Sequence, residues 1–226
     1  MVVGVRLFPC GARLALAMGL ALSCSSAIAA LRVEVRSGGQ PVESAVVTLT
    51  PLGRAAAVTP INAVMDQVGS EFKPRVLVVT KGSRVRFPNS DVIRHQVYSF
   101  SAAKRFELPL YTGTPPEPVV FDSAGVVTLG CNIHDWMKVY VVVVETPQYA
   151  LSASDGGFPM DAPVGEYLLT AWHERLPTVD AAPKQTITLP MAGPATLELT
   201  LAAPPPPRGT DRLRALQDRF RNPPRD

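Results

Sequence analysis

Residues 139–144 constrain this chain more than any other stretch. Five of the six are valine and the sixth is Tyr140. Valine is stiff at χ1 and packs well on a pleated surface, so the run reads as a strand. It has no apolar–polar alternation, as expected of a strand buried on both faces. Elsewhere alternation is common. Leu31, Val33 and Val35 alternate with polar residues ahead of Ser37-Gly38-Gly39-Gln40-Pro41, which reads as strand and turn. Further strands are expected at 45–50, 76–80, 85–87, 96–100, 119–121, 126–129, 167–172, 186–189 and 196–201. Helical periodicity is nearly absent before residue 208. With 23 prolines and 18% charged residues, the chain suits many short strands and is expected to be all-β.

The two ends are set apart. Arg6 and Arg13, the apolar stretch 14–22 and Ala27-Ile28-Ala29 have the layout of a cleavable export leader, residues 1–29. The apolar stretch is too short to span a bilayer, and no later stretch qualifies. The expectation is therefore a periplasmic protein with no integral membrane span after leader removal. At the other end, Pro204 to Pro207 form a stiff spacer. Residues 208–226 carry six arginines and three aspartates, so 204–226 reads as a solvated Pro/Arg-rich tail.

Leader removal takes two of the 22 basic residues and leaves 20 against 19 acidic ones. That balance argues against nucleic acid as a partner, because phosphate binding needs a basic face. Cys10 and Cys24 leave with the leader as well. Cys131 then stands alone in a compartment that oxidises thiols, where an unpaired cysteine is expected to be buried or occupied.

Cys131-Asn132-Ile133-His134-Asp135-Trp136-Met137 lies between two expected strands and reads as a loop. It offers a thiolate, an imidazole and a thioether. Thiolate and thioether suit Cu(I) and imidazole supports both oxidation states, so the set fits copper that cycles between them. A His₂Cys plane with a weak axial Met needs a second histidine. His95, at the entry to the strand 96–100, is the candidate. With three histidines and six methionines in 226 residues, chance places both at those offsets from one cysteine roughly once in 3,000 chains. Each residue also has an ordinary reading: Cys131 as a small core residue, His134 as a polar loop residue, His95 as a capped strand end, Met137 as core filler. His173 lies outside the constellation and reads as a strand-end hydrogen-bonding residue. Asp155 and Asp161 read as turn residues. No Ser/His/Asp set, carboxylate pair or phosphate-cradling glycine loop is present, so no enzymatic activity is expected.

The Cys-x2-His-x2-Met spacing resembles the ligand loop of amicyanin, within the cupredoxins. Together with Met65-Asp66-Gln67 and Phe87-Pro88-Asn89-Ser90-Asp91, it is similar to exported proteins of the methylamine-utilisation type. The resemblance implies a Greek-key β-sandwich over residues 60–146. It also implies one type 1 copper held by His95, Cys131, His134 and Met137, and single-electron exchange with a transient redox protein partner. Gln96 departs from the Asn with which many cupredoxins tie the two ligand loops. Gly39-Gln40-Pro41-Val42 with Ala45-Val46-Val47-Thr48-Leu49, and later Pro163-Val164-Gly165-Glu166-Tyr167-Leu168-Leu169, resemble a carboxypeptidase-regulatory-like (prealbumin-type) sandwich. Residues 30–59 and 147–203 would then form a small sandwich interrupted by the copper domain. His134 is the expected electron port, with Ile133 and Trp136 as a docking surface. Copper storage or delivery, and a metal-free structural or adhesive sandwich, are the alternatives. The oligomeric state is left open.

Overall fold

The computed structural model describes residues 27–204. The expected tail beyond Pro204 and residues 1–26 of the expected leader lie outside the described residues. Within them the chain is all-β, as expected, with one short 3₁₀ turn at Val179–Ala181. No helix among the described residues is long and apolar enough to cross a membrane.

The strands of the first part are β1 (Ile28–Ser37), β2 (Gln40–Pro41) and β3 (Val46–Pro51). Those of the middle are β4 (Asn62–Val64), β5 (Asp66–Gln67), β6 (Phe72–Lys73), β7 (Val76–Thr80), β8 (Ser83–Arg86), β9 (His95–Ser101), β10 (Lys104–Tyr111), β11 (Val119–Phe121), β12 (Gly125–Cys131) and β13 (His134–Val144). The last are β14 (Tyr149–Leu151), β15 (Gly157–Pro163), β16 (Gly165–Trp172), β17 (Lys184–Leu189) and β18 (Ala195–Glu198).

Sheets β15-β1-β18 and β14-β3-β16-β17 face each other across one core, which includes Leu31, Val33, Val35, Val47, Leu49 and Tyr167. Period-2 alternation drives this packing: Leu31, Val33 and Val35 point inward while their neighbours stay wet. β1 begins at Ile28, so the last two residues of the expected leader lie in this strand, with Ala29 buried.

Sheets β10-β9-β12-β13-β7 and β11-β8-β4 enclose a second core, which includes Phe87, Val97, Phe121, Val127, Leu129, Val141 and Val143. β13 accounts for the run without alternation. Val139, Val141 and Val143 face this second core, whereas Tyr140, Val142 and Val144 pack on Val46 and Trp172. The outer face of one sandwich thus lies on the outer face of the other, giving four layers with β13 in the middle.

Several elements depart from expectation. β10 carries Pro109, and β15 carries Pro159 and Pro163. Both are end strands, where a missing N–H is tolerated. Asp161, expected in a turn, pairs with Ala30 within β15. Asp155 does make a turn, its Oδ1 accepting from Gly157 N–H at 2.9 Å. The stretch 131–137, expected as a loop, is not an open one. Cys131 ends β12, His134 starts β13, and the two are paired across Asn132 and Ile133.

Candidate metal centre

Antiparallel pairing sets the site. Gly130 lies opposite Tyr98, which puts the start of β9 beside the end of β12. His95 opens β9 and Cys131 closes β12, so residues 36 apart in sequence meet at one end of the sheet. The pairing then shifts register: Gly130 faces Lys138, but Cys131 faces His134. Asp135, Trp136 and Met137 are the surplus, arching out of the ladder as an extended bulge.

The donor atoms of His95, Cys131 and His134 lie within 4.8 Å of one another. Cys131 Sγ is 3.9 Å from His95 Nδ1 and 4.0 Å from His134 Nδ1. These are long even for sulfur hydrogen bonds. Ligands on a shared first-row ion, at bond lengths of about 2.0–2.3 Å, stand roughly 3.5–4 Å apart in a trigonal plane. The spacing and the S/N donor set both fit one soft-to-borderline ion such as copper. Met137 is buried with Cys131 in the second core, and both line the same surface pocket.

The surroundings orient the donors. His95 is fully buried, and its Nε2 is 2.8 Å from Asp91 Oδ2. Donation to that carboxylate leaves Nδ1 as the lone-pair nitrogen facing the thiol, the arrangement that fixes a metal-binding tautomer. Burial alone would raise the Asp91 carboxyl. The amides of Ser70 and Gly69 and the His95 ring outweigh it and hold it below its ordinary range. Asn89 Nδ2 donates to the carbonyls of Ile93 and Tyr111, closing the loop ahead of His95. The partly buried His134 ring sits 4.9 Å from the His95 ring and 5.0 Å from Trp136.

Cys131 Sγ also receives the backbone N–H of Gln96 at 3.5 Å, while the Gln96 side chain donates to Glu107 at 2.6 Å. The Gln96 N–H therefore joins the two segments through the Cys131 thiol, while its side chain takes no part in that tie. Ile133 and Trp136 are each about half exposed. His173 stands apart. It is buried, and its Nδ1 accepts from Arg175 N–H at 3.1 Å. Asp91 was missing from the expected constellation. Its spacing of four before His95 was the available signal, but that spacing carries no weight in a loop.

No protein-family model matches this chain, and no curated protein matches it. Solved structures do. A copper-containing nitrite reductase from Thermus scotoductus SA-01 is 27% identical, with a TM-score of 0.36. That match covers 43% of this chain but only 25% of the reductase. A purple cupredoxin from Nitrosopumilus maritimus is 23% identical over 36% of this chain and 99% of its own, with a TM-score of 0.32. An amicyanin in its reduced Cu(I) form is 23% identical over 43% of this chain and 98% of its own, with a TM-score of 0.33.

Proposed function

We propose that this chain is an exported, periplasmic electron carrier in which His95, Cys131, His134 and Met137 would hold one type 1 copper. In this reading residues 60–146 are a cupredoxin module set into a prealbumin-type sandwich formed by 30–59 and 147–203. The observation that carries it is the donor triangle, in which two Nδ1 atoms face one buried thiol and Asp91 holds the far side of His95.

A bound copper ion supplies a one-electron couple. The protein's part is to hold and shield. Cys131 would hold the ion through its sulfur, which also receives the Gln96 N–H. His95 is kept from water, and its ring cannot rotate without breaking the bond to Asp91. Both ligand histidines, Cys131 and Met137 sit on or between paired strands, which limits rearrangement when the charge of the site changes. His134 is the ligand nearest solvent, and the exposed Ile133 and Trp136 beside it offer an apolar surface for a transient redox partner.

The test is a Cu(II) titration of residues 30–226 followed by visible absorption and EPR. The expected outcome is an intense thiolate-to-copper band that saturates at one equivalent and is lost in Cys131→Ser. Weak binding that survives that substitution would end the reading and leave a metal-free sandwich. A strong band with no exchangeable electron would turn it into copper storage or delivery.

A further inference from the structure

The hairpin β5–β6 touches both ligand-bearing segments through its turn, Val68-Gly69-Ser70-Glu71. Val68 N–H donates to the Glu71 carbonyl at 2.9 Å and closes it. Gly69 and Ser70 are both left-handed, with φ of 67° and 54°. Glycine adopts this conformation freely, whereas serine holds it only where its surroundings demand it. Two successive left-handed residues aim their amides the same way and make an anion-binding nest. Here the anion is internal. Gly69 N–H donates to Asp91 Oδ1 at 2.6 Å and Ser70 N–H to Asp91 Oδ2 at 2.8 Å. That same Oδ2 holds His95 Nε2.

The other side of the turn faces the second ligand segment. The Ser70 carbonyl accepts from Trp136 Nε1–H at 3.0 Å, and the Trp136 ring packs on His134. One residue therefore reaches His95 through its N–H and Asp91, and His134 through its C=O and Trp136. The sequence separation is large on both sides, and this route runs beside the direct Gln96–Cys131 contact.

We propose that the Gly69–Ser70 turn is a positioning element that couples His95 to His134. Whatever displaces Trp136, a docking partner included, is passed through Ser70 to Asp91 and so to the orientation of His95. The purpose of this coupling rests on the copper reading, but the coupling itself belongs to the metal-free chain.

The experiment uses the metal-free chain and its Cu(I) form, with Trp136→Phe, Asp91→Asn and Gly69→Ala. Trp136→Phe keeps a ring on His134 and removes only the indole donor. A Cβ at Gly69 meets nothing within 4 Å, so Gly69→Ala strains the turn without a clash. Circular dichroism confirms that each variant folds. In NMR hydrogen exchange, Asp91→Asn is expected to expose the Trp136 indole N–H about tenfold faster, and Trp136→Phe the His95 Nε2–H likewise. Gly69→Ala is expected to raise both rates together. Cu(I) affinity measured against a chelator is expected to fall about tenfold in Asp91→Asn. The loss in the Asp91→Asn/Trp136→Phe double variant is expected to be less than the product of the two single losses. Effects confined to each variant's own segment, with losses that multiply, would overturn the coupling. Crossed exchange effects without any thiolate-to-copper band in the Cu(II) titration would sink the copper reading and leave the coupling standing. A strong band without crossed effects would do the reverse.

Discussion

At the scale of single residues, the backbone does work that side-chain identity conceals. Gln96 stands where the resemblance called for Asn, yet its contact with Cys131 is made by its N–H and its side chain goes to Glu107. Gln96→Ala is therefore expected to leave the thiolate-to-copper band in place and to cost about 1 kcal/mol in urea unfolding, the worth of one hydrogen bond. A shifted or bleached band would show that the side chain matters. His173 is the other informative residue. Burial, more than the opposing pull of Glu174, lowers its pKa below the ordinary 6.5. The unfolded chain then takes up a proton near pH 6.5 that the folded chain refuses, so stability is full above that pH and is lost as pH falls toward the folded value. The melting-temperature gap between the wild type and His173→Asn is expected to narrow as pH drops from 8 to about 5. A gap independent of pH would contradict a buried neutral imidazole.

At the scale of elements, the register shift between β12 and β13 determines what the site contains. The three surplus residues put Met137 inside beside Cys131, while Asp135 and Trp136 stay out. Side chains alternate faces with every residue in a strand, so removing one surplus residue exchanges inside for outside. Deletion of Asp135 is expected to take Met137 out of the core and, on the copper reading, to weaken copper binding about tenfold or more and change the visible spectrum. An unchanged spectrum would mean that Met137 owes its place to something other than this bulge. The same element logic explains the edge strands. β10 and β15 hold their prolines at sheet ends, where no neighbour asks for the absent N–H.

At the scale of the whole molecule, the two sandwiches are joined through β13. Val46, Tyr140, Val142, Val144 and Trp172 form a small apolar layer between them, with Trp172 edge-on to Tyr140 at 5.1 Å. A carboxylate buried there without a partner costs about 3–4 kcal/mol. Val142→Asp is expected to separate the halves, giving two calorimetric transitions where the wild type gives one. Val141→Asp, one residue away but facing the second core, is expected to unfold that core and, on the copper reading, to abolish copper binding. If both variants melted in the same way, the layer would not be the joint between the halves.

Much of this was legible in the chain itself. The valine run 139–144 required cover on both faces, because no polar position in it can face water. The short offset between Cys131 and His134 made their meeting legible, because a two-residue turn is enough to bring them together. Tertiary structure decided the rest. His95 became a partner of Cys131 only through the antiparallel β9–β12 pairing. Asp91 gained its role because two left-handed residues more than twenty positions earlier aim their amides at it. No strand was expected over residues 62–73, because β4, β5 and β6 are two or three residues long, too short to show a period. β4 is a strand only because the distant β8 pairs with it, a partnership that leaves no mark in local composition, and β5 and β6 pair with each other across the Val68–Glu71 turn.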